Sequence, residues 1–362
     1  MEIGILKESR ADENRLPLTP MGVSDLAHAG AKVFIEAKAG DKCGYLDTDF
    51  EAAGGTICYS KQEVIGRCQL LLTVGSPGPE EIQGLQPNQI VGCFWQLVLQ
   101  KKETIDLVRA KKITLLGYEI METEDHDLPI LHSSSEIAGS MCASIAQYLL
   151  QNHEGGRGIL LGGGAGIPPA VVLVLGAGAL GSAAAHAFIG AGAQVMVLDR
   201  NPEKLGRLHR ELGGRIITSI STKQNILKGM EFANVVIGAA SLAGRKTPLL
   251  ITRDMLKRMR PKSIFMDLSI DLGGVSETSR PTTFDNPTYV DENILHYCVP
   301  NIPSNVARTA TQALNNALLP HILLLVEKGY NQAMVDCAAV RNGTYIHMGT
   351  FLKPWIKEYF QI

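Results

Sequence analysis

Short apolar runs alternate along this chain with stretches of helical periodicity. Residues 2–6, 32–36 (KVFIE), 70–74 (LLLTV), 90–95 (IVGCFW) and 114–116 read as strands, and patterns such as 20–30 and 101–111 read as helices between them. Strands alternating with helices predict βαβ units and a parallel sheet. Residues 133–151 break the rhythm. Ser133 and Glu136 fit a capping box, and Ile137, Met141, Ile145 and Leu149 then recur every four residues on one face. That pattern predicts a long helix leaving a first domain for a second.

A glycine-rich loop with a short strand follows at 155–170. The run 170–175 (AVVLVL) predicts a buried strand, 182–190 a helix, and 194–198 (QVMVL) a strand ending at Asp199. Further strands are expected at 235–238 and 264–268. A second long helix is predicted over about 305–328, with Gly329 placed to end it and Pro320 expected to kink or break it. It returns the chain to the first domain, where 331–362 packs as a tail.

Composition narrows the function classes. With 34 basic and 36 acidic residues the net charge is −2, so no basic field exists to hold nucleic acid or an anionic membrane. A chain with 45% apolar and 19% charged residues is not disordered. The seven cysteines include no C-x-x-C pair, which argues against a zinc site and a secreted disulfide framework. No metal is expected. The N-terminal residues lack a signal-peptide core, and the apolar stretches are too short to span a bilayer, so a soluble, cytoplasmic protein is expected. Glycine is in excess, 37 of 362 residues against an ordinary ~7%. Twelve of these lie between 155 and 192.

That cluster contains Gly176-Ala177-Gly178-Ala179-Leu180-Gly181, directly after the buried strand and opening a helix. Gly176 permits the tight turn, Gly178 lets the backbone approach a pyrophosphate, and Gly181 lets helix and strand pack closely. The helix start offers free N–H groups and a positive dipole end. Asp199, 23 residues past Gly176, is placed to accept from both ribose hydroxyls. The pattern predicts NAD. Arg200 beside it would attract a 2′-phosphate, which keeps NADP as the alternative.

The chain resembles the alanine dehydrogenase/transhydrogenase N-terminal family. The carriers are GILKE (4–8), Asn14-Arg15 with Pro20, Tyr118-Glu119, SEIAGSM (135–141), GGRGILLGG (155–163), VLGAGALG (174–181), VLDRN (197–201), DLSIDLGG (267–274), Pro300-Asn301-Ile302-Pro303 and Arg308-Thr309. The match covers about 1–330 in unchanged order, and the tail matches poorly. The resemblance implies an α/β fold of two Rossmann-like, doubly wound parallel-sheet domains linked by two long helices. The NAD domain (131–306) is inserted in a discontinuous substrate domain (1–130 plus 307–362). It also implies a homo-oligomer, dimer or hexamer, and L-alanine as the default substrate. Its cofactor contacts fall on Ser135, Gly176, Gly178, Ala179, Leu180, Gly181, Asp199, Arg200, Ala239, Asp271, Asn301 and Ile302.

Carried over position by position, Arg15 matches the arginine that forks onto the substrate carboxylate, and Asp271 the aspartate near the nicotinamide. Two positions depart. The family run V-K-E-P reads Val74-Gly75-Ser76-Pro77 here, so the substrate lysine is replaced by Gly75. The histidine after the aromatic strand is replaced by Gln96, which cannot carry a proton at neutral pH. His132, His126 and Glu119 are candidates to fill in as acid or base, each against a structural hydrogen-bonding role. Trp95 adjoins the pocket by position, with a core aromatic as the alternative.

These departures point to an NAD(P)-dependent oxidoreductase acting on the CH–NH2 or C=N bond of an amino or imino acid bulkier than alanine. The alternatives are an ordinary L-alanine dehydrogenase, a lyase or cyclase that retains its NAD, and a non-catalytic NAD-binding regulatory protein. The expected partner is a small amino, imino or oxo acid.

Overall fold

A computed structural model describes residues 1–240 and 244–361. The chain divides into two compact units, one of residues 1–134 with 303–362 and one of residues 135–302.

In the first unit the strands are β1 (Glu2–Ile5), β2 (Lys32–Glu36), β3 (Thr56–Cys58), β4 (Leu70–Gly75), β5 (Ile90–Phe94) and β6 (Thr114–Gly117). The second unit holds β7 (Val171–Leu175), β8 (Gln194–Asp199), β9 (Ile216–Ile220), β10 (Val235–Gly238), β11 (Ile264–Asp267), β12 (Thr288–Asp291) and β13 (Ile294–Tyr297). The returning chain adds β14 (Thr344–His347) and β15 (Thr350–Phe351) to the first unit. The sheet orders are β15-β14-β6-β5-β4-β1-β2-β3 and β12-β13-β11-β10-β7-β8-β9.

β1 to β6 are mutually parallel, as are β7 to β11 and β13. Their central strands are apolar runs buried along their length, such as Leu70–Val74 and Val172–Leu175, because helices cover both sheet faces. In each sheet the strand order turns at one place, between β1 and β4 and between β7 and β10. Crevices that hold ligands form at the carboxyl ends of strands at such a turn.

Several elements differ from the sequence reading. The first long helix spans Pro129–Leu149, so Ser133 is interior and caps nothing. Its hydroxyl donates to the Ile130 carbonyl at 2.9 Å. Pro129 has the φ a first helical position needs and starts the helix a turn early. The second long helix begins at Ala307, and its one non-helical residue is Gly329, at φ 73°. Pro320 stays within the helix, and the break falls on the glycine. The helix after the glycine turn begins at Ala179, three residues before the apolar pattern suggested.

The tail is an integral part of the first unit. β14 pairs antiparallel with β6, and Ile356 and Phe360 are buried in that unit's core with Trp355 packed against them. β3, β9, β12, β14 and β15, of two to five residues each, have no counterpart in the sequence reading.

Candidate active site

At the carboxyl ends of β1, β4, β5 and β6, one edge of the first unit gathers charged groups. The loop after β1 carries Glu8, Glu13 and Arg15. Arg15 is 6% exposed and Glu13 2%, and they form a bidentate pair, Nε to Oε1 at 2.9 Å and Nη2 to Oε2 at 2.8 Å. The remaining Nη1 lies 3.5 Å from the Ser134 hydroxyl. The guanidinium carbon sits 5.8 Å from the centre of the Phe94 ring, which meets the Tyr118 ring edge-on at 5.5 Å. Pairing with a carboxylate and an aromatic face keeps this buried cation charged and oriented.

Glu8 accepts the Val74 N–H at 2.6 Å and the Gly75 N–H at 3.1 Å, which ties β1 to the end of β4. Glu8 keeps partial solvent contact, yet the packing around its carboxyl and the nearby Glu13 push it from 4.5 up to about 8. The two backbone donors and Arg15 oppose that rise. A Cβ placed on Gly75 would lie 3.3 Å from Glu8 Oε2.

Gln96 follows β5 in a left-handed conformation, φ 45°. Its backbone N–H donates to Glu119 at 2.7 Å, and the Trp95 N–H donates to the same carboxyl at 3.2 Å. Tyr345, from the tail, donates its hydroxyl to Glu119 at 3.0 Å. Burial pushes Glu119 up from 4.5 to about 7 against these donors. Glu119 is therefore a buried post under the 95–96 turn, not a solvent-facing base. Trp95 is a fully buried core residue whose indole N–H bonds the Val91 carbonyl.

His132 lies on the first turn of the long helix, not in a loop, and its Nδ1 meets Asp127 at 2.6 Å. His126 pairs with Glu122 at 2.5 Å and is largely solvent-exposed. Both are engaged with acidic neighbours. Sequence reading singled out neither Glu13 nor Tyr345. Glu13 had a signal, an acid two residues before Arg15; Tyr345 had none, because only the fold brings the tail to Glu119.

In the second unit the glycine turn has the geometry a dinucleotide needs. Gly176 has φ 119°, and a Cβ there would meet the Ala239 carbonyl oxygen at 2.4 Å. A Cβ on Gly181 would fall 1.9 Å from the Gly176 oxygen, whereas one on Gly178 would point into open space. Gly178 caps the Ala179–Gly190 helix with no side-chain bond, which leaves the first-turn N–H groups for an anion. Leu180 lies in that first turn. Asp199 accepts the Ala177 N–H at 2.7 Å and the Asn201 N–H at 2.8 Å, and each oxygen keeps a lone pair for a ribose hydroxyl. These residues fit a dinucleotide.

Arg200, next along, is solvent-exposed. Asp271 lies in a short turn, Ile270–Leu272, after β11. The loop that carries it is fixed by fully buried Asp267, which accepts the Ser269 N–H at 3.1 Å and the Val275 N–H at 2.7 Å. Ser135 opens this unit, half-buried, and at its other end Asn301 has φ 57° while Ile302 is in the core. No helix among the described residues is long and apolar enough to cross a membrane.

Residues 4–138 match the family described as Alanine dehydrogenase/PNT, N-terminal domain, and residues 142–354 its C-terminal domain. The chain is 39% identical to an alanine dehydrogenase of Methanococcus maripaludis, over 95% of this chain and 92% of that one. It is 38% identical to an alanine dehydrogenase of Mycobacterium tuberculosis, over 97% and 95%. A solved L-alanine dehydrogenase superposes with a TM-score of 0.92 at 34% identity, covering 100% of this chain and 99% of that one. A transhydrogenase from Sinorhizobium meliloti, at 22% identity and a TM-score of 0.81, shares the fold over 98% and 100%. With both halves matched and relatives aligned nearly end to end, the chain belongs to the alanine dehydrogenase/PNT family.

Proposed function

We propose that this chain is an NAD-dependent oxidoreductase of the amino-acid dehydrogenase type, acting on the CH–NH2 or C=N bond of an amino or imino acid other than alanine. The observation that carries the altered substrate is the lack of a side chain at Gly75, where Glu8 Oε2 lies 3.3 Å from where a Cβ would stand, together with Gln96 on the neighbouring turn. The family resemblance expects a lysine and a histidine at these two places. Without the lysine side chain, room opens at the strand end for a longer or cyclic substrate. Bound NAD supplies hydride acceptance and return.

The residues of the first unit orient the substrate. Arg15, held by Glu13, is the cation that meets the carboxylate of an amino acid. Gln96 hydrogen-bonds but carries no proton, which favours a preformed cyclic imine over ketone amination, because the imine needs less proton traffic. NADH absorbance with a panel of amino acids and cyclic imino acids tests the reading. Turnover of a larger or cyclic member with no response to L-alanine supports it, and robust alanine turnover refutes the altered substrate.

The second reading is an ordinary L-alanine dehydrogenase, favoured by near-full-length relatives of that name. The same panel separates the two. NADPH offered in place of NADH tests the role of Arg200, and light scattering reads the dimer or hexamer that the resemblance implies.

A further inference from the structure

We propose that Glu8 is the acid–base residue of this site: its carboxyl, held at the end of β4 by the Val74 and Gly75 N–H groups, exchanges a proton with the substrate nitrogen. The inference rests on the oxidoreductase reading above and supplies the proton-transfer group that Gln96 is not.

Placement comes first. Glu8 follows β1 and bonds the last two residues of β4, and these are the two strands between which the sheet order turns. Ligands of α/β sheets bind at that turn. Exposure comes second: Glu8 keeps partial solvent contact, and its Oε2 lies so near the strand end that a Cβ on Gly75 would sit 3.3 Å from it, so glycine leaves this oxygen uncrowded. Third, among the described residues Glu8 forms no ion pair; its partners are the two backbone donors. The buried Tyr118 hydroxyl, close enough to feel the Glu8 charge, has no hydrogen-bond partner among the described residues. An unsatisfied polar group beside a carboxyl suits a polar ligand.

Several charged and titratable groups face Glu8. Arg10, Glu13 and Arg15 come from its own loop, Cys93 from β5, and Tyr118 from the turn after β6. Glu13 disfavours its charge more than Arg15 favours it, and with burial the carboxyl rises to about 8. A group titrating there is shared between acid and base forms near neutral pH, the condition for proton transfer in both directions.

The step is a proton transfer alone. In the reductive direction the carboxyl O–H bond breaks and an N–H bond forms on the C=N nitrogen. Glu8 is left as a carboxylate on its two backbone donors, and nothing is oxidised or reduced. In the oxidative direction the carboxylate takes a proton from the substrate ammonium.

Glu8→Gln keeps a carbonyl acceptor for one of the two backbone donors and loses the exchangeable proton. With a substrate from the panel, wild-type kcat/KM is expected to show a limb near pH 8. Glu8→Gln should erase that limb and lower kcat by about 10²–10⁴-fold, while Glu8→Asp restores part of the rate and the limb. Unchanged melting temperature and NADH fluorescence titration mark the variant as folded. Turnover of Glu8→Gln within ~3-fold of wild type, or a limb that survives, overturns the proposal.

An infrared measurement stands apart from turnover. A protonated carboxyl band that Glu8→Gln removes should titrate near pH 8 and shift when the amino or imino acid is added. A band indifferent to every member of the panel overturns the proposal. A band that responds, in a protein that transfers no hydride, sustains Glu8 as the ligand-facing group and overturns the oxidoreductase reading instead.

Discussion

Glu119 accepts the backbone N–H of Gln96 at 2.7 Å, so a buried carboxyl fixes the turn on which position 96 stands. Burial raises that carboxyl from 4.5 to about 7. The folded chain then holds a proton that the unfolded chain has released, and stability falls as pH rises from about 4.5 to about 7 before levelling off. The loss amounts to at most ~3–4 kcal/mol, since each tenfold change in proton affinity is worth about 1.4 kcal/mol. Urea midpoints between pH 4.5 and 8.5 should decline across this window. Glu119→Gln should flatten the decline, leaving the part that Glu8 contributes up to about 8. A slope unchanged by the substitution would contradict the assignment.

Arg15→Lys tests the buried pair. Lysine keeps the charge but not the fork, so one of the two bonds from Arg15 to Glu13 is lost inside the protein. A loss of about 1–3 kcal/mol in urea unfolding is expected. KM for the substrate should rise at least ~10-fold, because the cation is no longer held as a planar fork. An unchanged KM with lowered stability would leave Arg15 a structural residue and remove it from substrate binding.

What the sequence made legible follows from how locally each feature is encoded. The glycine turn, the strand before it and Asp199 sit close together in the chain, and each glycine answers to a contact in its own neighbourhood, as Gly181 does to Gly176. The buried parallel strands were readable for the same reason. The supports of the first unit's site were not. Glu119 meets Tyr345 across 226 positions, and Glu8 meets Gly75 across 67. No period or spacing carries such contacts. The capping-box reading at Ser133 failed because Pro129, a stronger helix start, stands one turn earlier.

Gly181→Ala should disable the nucleotide turn without touching the first unit's charged edge. The new Cβ would fall 1.9 Å from the Gly176 carbonyl oxygen, a backbone atom that cannot step aside as a side chain could. The helix from Ala179 must move off the turn, at a cost of about 1–3 kcal/mol for overpacking. Fluorescence titration should show NADH affinity reduced at least ~10-fold, since the helix N-terminus no longer meets the phosphates. Gly178→Ala is the contrast: its Cβ enters open space, so stability should hold while NADH affinity falls. If Gly178→Ala binds NADH normally, the open space there is not where the pyrophosphate lies.

Placing lysine and histidine where the resemblance expects them joins the two departures in one test. In Gly75→Lys the new Cβ lies 3.3 Å from Glu8 Oε2 and 3.6 Å from Arg10 Cδ, so the Glu8 side chain must yield by a few tenths of an ångström to admit it. The ammonium then becomes the cation that Glu8 lacks and draws the carboxyl below its present value of about 8. Gln96→His puts a titratable ring on the turn that Glu119 fixes. The double variant should gain alanine-dependent NADH formation by about 10²-fold or more, and lose turnover of a larger substrate as the lysine side chain fills the strand end. Each single variant should fall short: the lysine restores a contact but draws the Glu8 carboxyl down and makes it a poorer acid, and the histidine adds a base beside a strand end still shaped for something larger. Wild-type alanine turnover equal to that of the double variant would mean that neither position decides the substrate.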